Sequence, residues 1–213
     1  MNHRPLVLAL AIAVLVLPEV SRGGGLEDIP ICHGFGCRIQ ETVSISESEW
    51  RQVRTFFREP ASTPAEERDQ IKRAVGWFDV IAGRYSPIHR DLAKNEIPGR
   101  FDNVRSNPDG HTMPASTIGQ LDCIDESRNV TTYLTLMEQA GLFRHHRVVE
   151  RALRRSAVDQ HYAGQIEEIE SATRWVVDSW FYAHGRLPYL EEATEWLDIP
   201  FLFSTSFPEE ADG

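Results

Sequence analysis

The stretch Gly119-Gln120-Leu121-Asp122-Cys123-Ile124-Asp125-Glu126 decides how this chain reads. A helix starts there, at Asp122 or Cys123. Its apolar residues Val130, Tyr133, Leu134 and Met137 recur at three- and four-residue spacing, and Gly141 is placed to stop it. Upstream the pattern is helical. Residues 41–59 carry a stripe of Trp50, Val53, Phe56 and Phe57, with Ser46 or Ser48 as cap and Glu47 and Glu49 near the positive helix end. Pro60 ends that helix. A second begins at Ser62-Thr63-Pro64-Ala65-Glu66-Glu67 and continues through Ile71, Val75, Phe78 and Ile81, with Ala74 and Trp77 beside the stripe. Downstream the pattern turns to short β-like runs: Phe143 to Leu153, Tyr162 to Ile169 and Arg174 to Tyr182. Helices first, then consecutive strands, predict an α+β fold with an antiparallel sheet. Residues 83–119, rich in Pro and Gly, read as irregular, either a functional loop or a surface excursion. The tail from Gly185 is Pro-punctuated, with a short helical piece around Glu191 to Leu197.

Length and composition frame this pattern. The chain has 213 residues, 41% hydrophobic and 25% charged, which suits one domain plus a leader. Residues 1–25 have the layout of a signal peptide: a short basic start, an apolar run between Pro5 and Pro18, then Ser21-Arg22-Gly23-Gly24-Gly25. The run is too short to span a bilayer comfortably. Arg22 sits where a cleavage site prefers a small residue, so an uncleaved membrane tether is the alternative. Residues 26–44 read as a linker holding a Cys32–Cys37 loop, 45–205 as the folded domain and 206–213 as a flexible tail. An exported chain is thus expected, periplasmic or secreted. The formal net charge is -10, and removing the leader takes away two arginines and one glutamate. Such acidity argues against nucleic-acid binding, which needs clustered Lys and Arg. Arg147, Arg151, Arg154 and Arg155 form a local basic cluster that reads as a solvated face.

The cysteines narrow the chemistry. Cys32-His33-Gly34-Phe35-Gly36-Cys37 can close a tight disulfide loop, with glycines to permit the bend. That leaves Cys123 as the odd thiol, which calls for a reactive role, an intermolecular partner or simple burial. At a helix N-terminus the unpaired N–H groups and the dipole favour a thiolate, and the same N–H groups can hold an oxyanion. A Cys nucleophile needs a His base and an acceptor that orients the His. His161 opens one strand and Asp178 lies near the end of the next. A hairpin pairing His161 with Asp178, Tyr162 with Val177 and Gly164 with Trp175 gives one apolar face and one face carrying His161 and Asp178.

At these residues the chain resembles a family. Asp122-Cys123-Ile124-Asp125 at a helix start is similar to the G-D-C-E-D pattern of bacterial transglutaminase-like cysteine proteinases. His161-Tyr162-Ala163, with Trp175-Val176-Val177-Asp178-Ser179, resembles the H-A…W-x-x-x-D element of the wider transglutaminase-like superfamily. The resemblance covers about residues 45–185. Leu121, Ile124 and Ser179 depart from the pattern, where relatives have glycine, an acidic residue and often proline. It implies a papain-like α+β fold, with a Cys-bearing helix packed on an antiparallel sheet. It implies a hydrolase that cleaves an amide or peptide bond through Cys123, His161 and Asp178. The substrate would be a protein or peptide, and no cofactor would be needed. Gln120 is near enough in sequence to be considered as a second oxyanion donor.

Competing readings remain open. His145 or His146 could be the base instead of His161. Cys32, His33 and Cys37, joined by His111, His145 and His146, could bind a metal, although no strong zinc spacing occurs and no metal is expected. A non-catalytic binding or scaffold protein could keep the same fold, with Trp175, Trp180, Phe181 and Tyr182 as core or as a binding lip. Asn129-Val130-Thr131 matches a glycosylation sequon but falls inside the Cys123 helix.

Overall fold

Local signals set the helices. The computed structural model describes residues 27–94, 117–155 and 160–198. Helix α1 spans Glu47–Thr55, and Ser46 and Glu49 form a reciprocal capping box at its start. Helix α2 spans Pro64–Tyr85, capped by Thr63 with Pro64 in its first turn. Its stripe of Ile71, Val75, Phe78 and Ile81 is fully buried. The helix outruns the expected irregular stretch, because Phe78, Ile81 and Ala82 carry the buried face to its last turn, and a 3-10 turn follows at Pro87–Arg90. Helix α3 spans Cys123–Gln139 and stops before Gly141. The expected leader (1–25) and tail (206–213) lie outside the described residues, as does much of the expected irregular stretch.

Residues 27–44, expected as a linker, form a strand pair with the Cys32–Cys37 loop between them. Strands β1 (Glu27–His33) and β2 (Ile39–Ile45) pair antiparallel, from Glu27 opposite Ile45 to His33 opposite Ile39. Ile29, Ile31, Val43 and Ile45 alternate into the core. The first helix begins at Glu47, after the expected cap Ser46, and residues 41–45 belong to β2. The apolar alternation was present in the sequence, but Pro30 and the glycine-rich turn obscured it.

The main sheet follows the antiparallel α+β plan. Strand β5 (Gln160–Glu168) is central. Strands β3 (His146–Val148) and β4 (Ala152–Arg155) run end to end along one edge of it. Strands β6 (Arg174–Asp178) and β7 (Tyr189–Glu192) extend the other side, and α4 (Ala193–Asp198) follows. Helix α3 covers one face. Trp196 of α4 covers the other, packing with Ala152, Ala163 and Val176.

The β5–β6 register differs from the expected one by two residues. Gly164 pairs with Val177 and Ile166 with Trp175. The reason lies in the turn. The expected register needs a two-residue turn at Ile169-Glu170, and such turns demand positive φ. A β-branched Ile resists that conformation. The chain instead makes a longer turn, in which Glu168 donates to Thr173 and Ala172 donates back to Glu168, with Ala172 alone left-handed (φ 57°). A shift of two preserves the faces. His161 and Asp178 stay on one face, as diagonal rather than direct neighbours.

The distance between α3 and β5 depends on Gly164. A Cβ there would lie 2.6 Å from Val130 Cγ1 and 3.2 Å from the Val177 carbonyl oxygen. Gly164→Ala is expected to push α3 off the sheet and cost about 1–3 kcal/mol in chemical denaturation. An unchanged midpoint would show that the helix can shift freely. The cluster Arg147, Arg151, Arg154 and Arg155 is not one solvated face. Arg154 is buried, donates to the Trp196 carbonyl at 2.7 Å and lies over that indole, and Arg147 pairs with Glu167.

Candidate active site

Four successive backbone N–H groups hold the start of α3. Gly34, Phe35, Gly36 and Cys37 all have positive φ, between 55° and 84°. The Cys32–Cys37 disulfide closes the loop, with Cα atoms 4.7 Å apart. This left-handed run turns its N–H groups to one side, making an anion nest. Gly34 donates to the Gln120 carbonyl at 2.8 Å. Phe35 donates to Asp125 Oδ2 at 2.8 Å, Gly36 to Asp122 Oδ2 at 2.8 Å, and Cys37 to Asp125 Oδ1 at 2.6 Å. The same two carboxylates cap the helix. Asp122 Oδ1 accepts from Ile124 and Asp125, and Asp125 Oδ2 accepts from Asp122. Burial, and then the charge of Asp122, pushes the Asp125 carboxyl up to about 7. Asn129 completes the fixture, bonding both the N–H and the carbonyl of Cys32. It is fully buried, so the sequon side chain is structural.

Cys123 is the first residue of this helix, half-buried and the free cysteine of the chain. Asp122 caps the next two N–H groups, and among the described residues no acceptor takes the N–H of Cys123 itself. The sulfur lies 3.9 Å from the carbonyl oxygen of Gln160, at the start of β5. The next residue is His161. Its Nε2 is 2.7 Å from Asp178 Oδ2, and the Cys123 side chain acts electrostatically on the ring. Asp178 is fixed from two further sides, by Trp196 Nε1 at 2.9 Å and by the Trp180 N–H at 3.2 Å.

His161 and Asp178 are both about 1% exposed. The imidazole is walled by Trp180, Trp196 and Phe181, with ring centroids at 4.6, 5.5 and 5.9 Å. Burial pulls its pKa down, but the charge and hydrogen bond of Asp178, aided by Cys123, outweigh that and raise it to about 9. The imidazolium is therefore the resting form at neutral pH. Its aromatic walls exclude water and favour a cation.

The other candidates sit elsewhere. His146 is buried against Glu67, with Nδ1 at 3.0 Å from that carboxylate. His145 bonds Glu67 and the Ala61 carbonyl. Both tie β3 to α2. Gln120 is not placed as an oxyanion donor, since its amide donates to the Arg90 carbonyl at 2.5 Å and accepts from Leu92 at 3.3 Å. Asp91 accepts from the Leu121 N–H at 2.6 Å, so the loop after α2 braces the run-up to Cys123. Burial pushes Asp91 up to about 9, with the charge of Asp79 adding to it. Glu126, buried between these acids and Asp178, is raised for the same reasons. The sulfurs of Cys32 and Cys37 lie near Asp125, but they are bonded to each other and that carboxylate is held by backbone N–H groups. Of the aromatics, Trp180 and Phe181 wall the histidine, whereas Trp175 packs on the core beneath the Arg68 guanidinium, 3.6 Å from its ring centroid.

Sequence reasoning missed Trp196, the acceptor roles of Asp122 and Asp125, and the bracing Asp91. Asp122 and Asp125 had a legible signal, three residues apart at a helix start. Trp196 had none beyond its place in a short helix. Comparison with family models, with curated proteins and with solved structures finds no match to the chain.

Proposed function

We propose that the chain is a thiol hydrolase of the transglutaminase-like type, cleaving an amide or peptide bond through Cys123, His161 and Asp178. The observation that carries this is the placement of the Cys123 sulfur, at a helix N-terminus and 3.9 Å from the carbonyl of the residue before His161, next to an imidazole held by Asp178 Oδ2 at 2.7 Å. The order of elements after the first hairpin supports the fold assignment: two helices, a Cys-bearing helix on an antiparallel sheet, the His on one strand and the Asp on the next.

In this reading the Cys123 sulfur attacks the substrate carbonyl carbon and forms a C–S bond. The carbonyl oxygen takes the negative charge and meets the Cys123 N–H, with the helix dipole behind it. His161 passes a proton to the departing amine as the C–N bond breaks, leaving a thioester. Water then attacks the thioester while His161 takes its proton. The C–S bond breaks, the acid leaves and the proton stays on His161, which restores the imidazolium. Asp178 holds the imidazole and stabilises its cation throughout.

The cysteine pair joined in a disulfide fits an extracytoplasmic location, and among the described residues no helix is long and apolar enough to cross a membrane. We infer export to the periplasm or medium, by residues 1–25 as a leader or as a retained tether.

The test is labelling by a peptidyl acyloxymethyl ketone. Native protein should be modified at Cys123, and the urea-unfolded protein and Cys123→Ala should not. Equal labelling of native and unfolded chains would sink the proposal and leave a scaffold role.

A further inference from the structure

A cleft of about 300 Å³ lies along α3, the helix that begins at Cys123. Its walls include Arg128, Arg151, Thr131 and Thr132, with Pro30 and Gln40 of the first hairpin opposite. Arg151 is held in place. It donates to Ser127 Oγ at 2.9 Å, and its guanidinium lies 5.0 Å above the Tyr162 ring. Arg128 is exposed. Among the described residues neither arginine meets a carboxylate, although Arg54, Arg68, Arg84, Arg147 and Arg174 all do. Burial, and next the like charge of Arg128, lower the Arg151 pKa, so the two cations feel each other. A chain of net charge -10 has ample carboxylates to neutralise them. Two guanidiniums facing one cleft and left unpaired form a ready receptor for a carboxylate, which they can bind bidentately.

The cleft's position relates it to the thiol. Ser127, the anchor of Arg151, is one helical turn beyond Cys123, and Arg128 is five residues on, a rise of about 7.5 Å. The charge of Cys123 reaches Arg151. An extended peptide advances about 3.3 Å per residue, so two or three residues match the rise along α3 from Cys123 to Arg128.

We propose that the thiol acts on acidic peptide segments, with Arg128 and Arg151 binding a carboxylate two or three residues from the scissile carbonyl. This rests on the hydrolase reading above. The hydroxyls of Thr131 and Thr132 donate to backbone carbonyls one turn back, so the arginines and the Gln40 amide supply the donors.

The test uses two peptidyl acyloxymethyl ketones that differ only in Glu or Gln at the second residue from the ketone. Each protein's Glu-to-Gln rate ratio is compared, so that general changes in thiol reactivity cancel. In the wild-type protein at low salt the Glu probe should label Cys123 at least about tenfold faster, and 0.5 M salt should shrink that advantage. Arg128→Gln and Arg151→Gln should each lower the ratio, and the double variant should bring it near one. Arg128 is exposed, so its variant decides even if Arg151→Gln folds poorly. A ratio near one in the wild type, or a ratio unchanged in Arg128→Gln, overturns the proposal. Titrating Cys123→Ala with the matching unreactive Glu and Gln peptide amides separates the two claims. A preference for Glu there, with no labelling of wild type, sinks the hydrolase reading and keeps the carboxylate site. Labelling without any preference sinks the carboxylate site alone.

Discussion

Replacing His161 by alanine is expected to slow peptidyl-ketone labelling of Cys123, and turnover of any amide substrate, by about 10²–10⁴ at pH 7. The imidazole is hydrogen-bonded to Asp178 and feels the Cys123 side chain. His145 and His146 are held at Glu67 and offer no substitute. The same substitution has a stability signature with a definite sign. The folded pKa of His161 is about 9, against an ordinary 6.5. A group raised in the folded state stabilises most where it is charged in both states. The contribution is therefore complete below pH 6.5 and is lost as pH rises through 9. Two and a half units correspond to about 3 kcal/mol. Denaturation of wild type and His161→Ala at pH 6 and pH 10 checks this. The gap between them should be larger at pH 6 by about that amount, and a gap independent of pH would remove the imidazolium–Asp178 pair from the account.

Asp125→Asn is expected to destabilise the protein by about 2–4 kcal/mol and to slow labelling of Cys123 at the same time. Both oxygens of Asp125 accept backbone N–H bonds, one from Cys37 and the other from Phe35 and Asp122. An amide offers one oxygen and turns an NH2 group toward a donor. A part-buried donor left unsatisfied costs about 1–3 kcal/mol, and Asn leaves more than one of the three donors without its acceptor. Opening the loop with Cys32→Ala/Cys37→Ala should cost about 2 kcal/mol through chain entropy alone. The two lesions act on one nest, so their losses should depart from additivity by about 0.5–3 kcal/mol. Urea midpoints of the single and combined variants measure this. Strict additivity would show that the disulfide loop and the helix cap are independent.

The hydrophobic stripes of α2 and α3, the switch to strands after Gly141 and the helix start at Cys123 were legible because each is a local property. A 3–4 spacing, a Pro at a helix start or a Gly at a helix end acts within one or two turns. The choice of His161 and Asp178 also came from local reasoning, through strand alternation. The strand pair Glu27–His33 and Ile39–Ile45 was hidden, because a proline inside one strand and a loop of four left-handed residues masked its alternation.

By itself, the sequence determined that this is an α+β chain with one unpaired thiol at a helix start and a histidine and an aspartate on following strands. Tertiary structure decided how those parts meet. The β5–β6 register was settled by which residue accepts a left-handed turn, and a slide of two kept His161 beside Asp178 because side chains alternate with period two. The N–H groups that anchor the Cys123 helix come from about 90 residues away, and the indole that holds Asp178 comes from a helix at the far edge of the sheet. Such partners have no spacing to read. They meet only because burial of the two apolar faces of the sheet brings α3 to one side and Trp196 to the other.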